Sequence, residues 1–222
     1  MPRWMAPRFA MLIASLIAIA VLGCAGGSDA PDGPGSLLLL RPVGTQHNIF
    51  ERRLDDGSEH ELIGSAAPIS HLRDPAVSPD GTQIAYVTVP LRTATADNQS
   101  DIHGDIWIAA RDGSDGRMVY EHDRPNQIVG APAWIDDHHL AVIVRQAEEL
   151  TRAETFRFSL DRITIDVATR EPVVPGALAM GVSPSREEIV YSTFVIGGEQ
   201  LYRADADGSD ARLVMDSSAR LF

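Results

Sequence analysis

Asp74-Pro75-Ala76-Val77-Ser78-Pro79-Asp80-Gly81 is followed by Ile84-Ala85-Tyr86-Val87, then by Asp105-Ile106-Trp107-Ile108-Ala109 and Asp112-Gly113-Ser114. The same order returns as Ala131-Pro132-Ala133-Trp134 with Leu140-Ala141-Val142-Ile143. It returns again as Val182-Ser183-Pro184 with Ile189-Val190-Tyr191, Leu201-Tyr202-Arg203 and Asp207-Gly208-Ser209. A small strand unit used repeatedly cannot bury its apolar face alone. It stacks on its neighbours, which predicts a radial or stacked all-β architecture.

The unit from Arg73 to Glu121 reads most clearly. Pro75 to Ser78 is predicted as a short first strand, and Pro79-Asp80-Gly81 as a tight turn, with Pro presetting φ and Gly accepting positive φ. Gln83 to Val89 places Ile84, Tyr86 and Thr88 on one face and Ala85, Val87 and Val89 on the other. A strand apolar on both faces is sandwiched between two sheets. Pro90 to His103 reads as a long polar loop, Asp105 to Ala110 as the third strand and Arg117 to Tyr120 as the outer, fourth strand.

In the next unit the third strand is predicted from Thr155 to Val167, with Phe156, Phe158 and Leu160 alternating in one phase and Ile163, Ile165 and Val167 in the other. That slip predicts a bulge near Asp161-Arg162. Upstream, Leu37 to Arg41, Asn48 to Leu54 and Glu61 to Ile63 read as a unit lacking its first strand, with Asp55-Asp56-Gly57-Ser58 in the place of Asp-Gly-Ser. The units run about 37–64, 73–121, 130–175 and 177–215, three whole and three-quarters of another.

These motifs resemble the Pro-Asp repeat of TolB-like β-propellers: Pro-x-Trp-Ser-Pro-Asp-Gly, strand, polar loop, strand, Asp-Gly-Ser, strand. Val77 stands for the usual aromatic, Ala131 to Val144 keeps the Trp but loses Ser-Pro-Asp-Gly, and Ser185-Arg186 replaces Asp-Gly in the last unit. The resemblance covers most of Leu37 to Met215 and implies four-stranded antiparallel blades. Propellers close with about 4–8 blades, and members of this family usually have six or so. Two explanations of the shortfall stand: further blades outside this stretch, or closure of a four-bladed ring by Arg220-Leu221-Phe222. The first is favoured because three residues make a poor strand. The resemblance further implies a non-catalytic scaffold for a protein or peptide partner, displayed from loops such as Pro90–Gly104 and Arg145–Glu154. Propellers of this type also precede the hydrolase domain of prolyl oligopeptidase-like peptidases, which is the alternative reading.

The N-terminus reads as a targeting segment. Arg3 and Arg8 precede Phe9 to Leu22, an apolar run of 14 residues. That is shorter than the roughly 18 residues expected of a spanning helix and fits the apolar core of a secretory signal helix. Val21-Leu22-Gly23-Cys24 resembles the lipobox of bacterial lipoproteins, which implies signal cleavage after residue 23 and lipidation of Cys24. Acyl chains bury CH₂ groups at about 0.8 kcal/mol each, so several chains hold a protein on a membrane. Residues 24–36 are small, polar and rich in Gly and Pro, and read as a flexible tether. The expected location is the bacterial cell envelope, facing the periplasm or the exterior, and Ala25 in place of Asp hints at the outer membrane.

Of 222 residues, all 19 basic ones are Arg against 31 Asp and Glu, a net charge of -12. Phosphate-backbone binding needs clustered cations, so no nucleic-acid partner is expected. The single Cys excludes an intramolecular disulfide and a thiolate-rich metal site. Ser183 in Gly181-Val182-Ser183-Pro184-Ser185 lacks the final Gly of a nucleophile elbow and reads as a turn in register with Ser78. Asp205 to Asp210 reads as a hairpin turn, because Arg212 and Leu213 stand where a calcium loop continues. Adjacent His138 and His139 after Asp136-Asp137 would point to opposite faces. His103, Asp101 and Asp105 read as solvated loop residues, and Trp107 and Trp134 as core. The seven His do not recur at one repeat position. No catalytic residue, cofactor or metal is expected.

Overall fold

The structure is a computed structural model and describes residues 35–65, 70–90, 104–123, 127–147, 156–195 and 198–217. Segment 1–23, Cys24, the tether to residue 34, Asp101, His103 and Arg220 to Phe222 lie outside the described residues.

Among the described residues, fifteen strands form four antiparallel sheets. Blade 1 holds β1 (Ser36–Val43), β2 (Gln46–Arg53) and β3 (Glu59–Ile63), three strands among the described residues where the other blades have four. Blade 2 holds β4 (Ser70–Val77), β5 (Gln83–Pro90), β6 (Asp105–Ala110) and β7 (Arg117–Tyr120). Blade 3 holds β8 (Gln127–Trp134), β9 (His139–Ala147), β10 (Phe156–Thr164) and β11 (Thr169–Pro175). Blade 4 holds β12 (Ala177–Val182), β13 (Glu188–Val195), β14 (Gly198–Asp205) and β15 (Arg212–Asp216). Each sheet is a meander in which sequence neighbours pair.

The core is three seams between consecutive blades. Ile84 and Tyr86 of β5 pack with Ile49, Ile63, Leu38 and Leu40 of blade 1. Ala85 and Val87, one residue out of phase, pack with Val129, Leu140, Val142 and Ile163 of blade 3. Leu160 and Val174 meet Ile189, Tyr191 and Ala204 of blade 4. The period of two sends alternate residues to opposite neighbours, so β5 carries apolar residues on both faces.

Two sequence expectations need correction. The first strand of blade 2 begins at Ser70, not Pro75. It is irregular between Arg73 and Ala76, where Asp74 has φ 50° and Pro75 offers no N–H to the ladder. The slip in β10 is not a bulge of that strand, whose pairing to β9 is regular from Phe156 to Thr164. Its apolar residues change neighbour instead: Leu160 faces blade 4, and Ile163 faces blade 2. The extra residue lies on the partner strand, where Leu160 pairs Val174 and Asp161 pairs Pro172, leaving Val173 bulged.

That bulge recurs in every outer strand, at Leu62, Val119, Val173 and Val214. It has a packing role. A Cβ on Gly113 would lie 1.9 Å from the Leu62 carbonyl oxygen, and one on Gly208 would lie 2.4 Å from Val173 Cγ1. The Asp-Gly-Ser turn of one blade therefore seats its glycine on the bulged residue of the blade before it. Both glycines also have positive φ, 85° and 84°.

Candidate functional site

Most polar side chains that the motifs single out are spent on the turns they close. Ser78 Oγ donates to Asp80 Oδ1 (2.6 Å) and accepts from Gln83 N (2.9 Å), and Thr82 N donates to the same carboxylate. Ser183 repeats this role: its Oγ accepts from Glu188 N (3.2 Å) and lies 3.1 Å from Ser185 Oγ. Arg186 takes the left-handed place of Gly81, with φ 63° against 74°. Its guanidinium reaches across the seam to the Trp134 carbonyl (2.5 Å). Ser183 is thus a turn residue, as the sequence predicts.

The Asp-Gly-Ser boxes are Asx turns. Asp112 Oδ1 accepts from Ser114 N (3.0 Å) and Oγ (2.6 Å), and Asp207 does the same for Ser209 (2.9 and 2.6 Å). The Ser hydroxyl is the main reason that both carboxyls sit below their ordinary range. Asp56 accepts from Ser58 N (2.8 Å) in blade 1.

The histidines are dispersed. His139 contacts Asp136 (2.9 Å), while His138 turns to Asp166 (2.8 Å), so the adjacent pair engages separate carboxylates. Asp105 accepts from His122 N (2.9 Å) and contacts its Nδ1 (2.8 Å). His47 and His71 meet Nδ1 to Nδ1 at 3.0 Å across blades 1 and 2. Burial, then His47, lowers the His71 pKa. Among the described residues no three His, Cys, Asp or Glu come together at metal-holding distance.

One constellation escapes sequence reading: a buried polar knot between blades 2 and 3. Asp161, 2% exposed, meets Arg170 at 2.8 Å, and Arg170 also reaches Asp123 at 3.1 Å. The Arg170 guanidinium lies 5.2 Å over the Tyr120 ring, whose hydroxyl donates to the buried Gln127 Oε1 (3.1 Å). Burial raises the Asp161 carboxyl despite Arg170, and pushes the Tyr120 phenol up to about 12. The one available signal was an acidic residue between Leu160 and Ile163, where the apolar phase of the strand changes. Perturbed groups mark functional sites only as a tendency. Here each is consumed by a partner within a seam, so the knot ties blades together. Trp134 does similar work, 2% exposed and donating from Nε1 to the Ala76 carbonyl (3.0 Å). Trp107, expected in the core, is only half-buried against the seam of blades 1 and 2.

Comparison with known proteins agrees at the level of structure alone. No family model and no curated protein matches the chain. A putative TolB from Agrobacterium tumefaciens superposes with TM-score 0.59 at 16% identity, over 84% of this chain and 63% of that one. TolB from Acinetobacter baumannii gives 0.55 at 14%, over 78% and 38%. The fold is a TolB-like β-propeller. The chain spans under two-thirds of either TolB's length. A structure from a study of two prolyl endopeptidases also superposes, with TM-score 0.52 at 12% identity, over 82% of this chain and 26% of that one.

In this propeller the second and third strands of each blade are joined at the same rim. Blades 1 and 4 make that link in two residues, 44–45 and 196–197. Blades 2 and 3, side by side, insert the longer segments 91–104 and 148–155 at the equivalent place. The strands that bracket these two longer links, β5 with β6 and β9 with β10, belong to adjacent blades.

Proposed function

We propose that this propeller is a lipid-anchored, non-catalytic scaffold of the cell envelope, held on the membrane through lipidated Cys24. It binds a protein or peptide partner through segments 91–104 and 148–155. The observation that carries this is the pairing of those insertions on adjacent blades, where rigid strands hold both ends. Scaffolds of this kind place binding residues on loops. The turn serines, the aspartates and the blade 2–3 knot are already engaged in structural bonds, which supports a binding role over a chemical one.

The test is in vivo cross-linking from photoreactive residues placed in both segments, repeated after each is shortened to a two-residue link. A partner band that requires the long segments supports the reading. A cross-link pattern that ignores their removal sinks it. The prolyl endopeptidase likeness favours a second reading, a propeller attached to a hydrolase. That reading needs an α/β domain carrying Gly-x-Ser-x-Gly, and translating the coding DNA downstream of Phe222 decides it.

A further inference from the structure

Two of the three internal seams use one lock, a left-handed glycine turn seated on the bulged aliphatic residue of the preceding outer strand: Gly113 on Leu62 and Gly208 on Val173. The described chain carries one spare half at each end. In blade 1, Gly57 has φ 71° and only Arg52 Nη2 within 4 Å of where its Cβ would be, at 3.6 Å. In blade 4 the bulged residue Val214 is 58% exposed, whereas its counterpart Val119 is 1% exposed. The faces around them match the seams in character. Blade 4 presents Val190, Phe194 and Met215, with Phe194 69% exposed, and the last two line a groove of about 380 Å³. Blade 1 presents Leu37, Leu39 and Phe50, opposite in phase to the residues that pack on blade 2.

Several charges on both faces are already paired. Arg203 pairs with Glu188 on blade 4. Arg41 and Arg52 share Glu59 on blade 1, at 2.7 and 3.3 Å. Covering a paired ion costs less than covering a single one.

We propose that two copies of the chain dock head to tail, Val214 of one seated under Gly57 of the other. The contact continues a lock already built twice within the chain, and its two halves lie at opposite ends of the described residues. It is therefore heterologous, and association through it closes a ring or extends. The proposal stands apart from the rim-binding reading, because the rim segments take no part in the lock.

The experiment uses the full chain in mild detergent. Sedimentation equilibrium is expected to show a mass rising with concentration from 24.0 kDa to at least twice that value. Gly57→Asn and Val214→Arg, each alone, are expected to weaken association at least tenfold with the far-ultraviolet circular dichroism unchanged. Asn tolerates positive φ, and both positions are open in the single copy. In a Cys24→Ser background, mixing Gly57→Cys with Val214→Cys chains is expected to give a reducible disulfide dimer in higher yield than either chain alone. A chain that stays monomeric at every concentration overturns the proposal, as a ring completed by further blades of its own would. Association insensitive to both substitutions overturns it too, because the N-terminal apolar run then drives it.

Discussion

Gly113, Gly208 and Gly81 look interchangeable as turn glycines, yet they have different work. All three have positive φ, which costs a residue with a Cβ about 1–2 kcal/mol. Gly81 has open space around it, whereas a Cβ on Gly113 or Gly208 strikes the neighbouring blade. Overpacking adds about 1–3 kcal/mol. Gly113→Ala and Gly208→Ala should therefore lower unfolding free energy by about 2–5 kcal/mol, and Gly81→Ala by about 1–2 kcal/mol, as read by urea denaturation. Equal losses at all three would show that the seam plays no part. Trp134→Phe removes a cross-blade hydrogen bond and leaves a void, so a loss of about 1–3 kcal/mol is expected in the same assay. The need for Gly at these turns was legible, because Asp-Gly-Ser is a turn signal on its face. The clash was not, because Leu62 and Val173 are remote from those turns in sequence.

At the scale of the strand, β10 shows what alternation can and cannot convey. Its two phases of apolar residues were visible, but one chain cannot say whether a phase change is a bulge or a change of neighbour. The structure decides for a change of neighbour and puts Asp161 into the seam beside Arg170 and Tyr120. Burial sets the sign of its pH dependence. The folded Asp161 binds its proton more tightly than the unfolded chain does. Its contribution to stability is complete below the ordinary carboxylate pKa of about 3.9 and is lost as pH rises through the raised folded value. Asp161→Asn should remove that declining limb, which denaturation midpoints measured from pH 3 upward would display. An unchanged slope would place the carboxyl in water. Tyr120 offers an independent reading of the same knot. Ultraviolet titration should show a phenol ionising near 12, and Tyr120→Phe should abolish that step.

Over the whole molecule, stability should be graded from centre to ends. Blades 2 and 3 are covered on both faces, while blades 1 and 4 each have one face without a described neighbour. Amides of β5 and β9 should exchange slowest and those of β15 fastest, because Leu213, Val214 and Met215 are all more than half exposed. Protection of β15 equal to that of β5 at high concentration, lost on dilution, would be the signature of the head-to-tail dock. Anchoring belongs to this scale too. Cys24→Ser should move the protein from the membrane fraction to the aqueous one if lipid rather than the apolar run holds it.

By itself the sequence determined the repeated unit and most of its strands and turns, because alternation and turn chemistry are local properties written in consecutive residues. It also determined that the central strands lie between two sheets, since an apolar residue on each face needs a cover on each side. Only the tertiary structure decided which blade each face meets, why the outer strands bulge, and how Asp161, Arg170 and Tyr120 become one knot. Those facts depend on distances between residues far apart in the chain, and no local pattern encodes them.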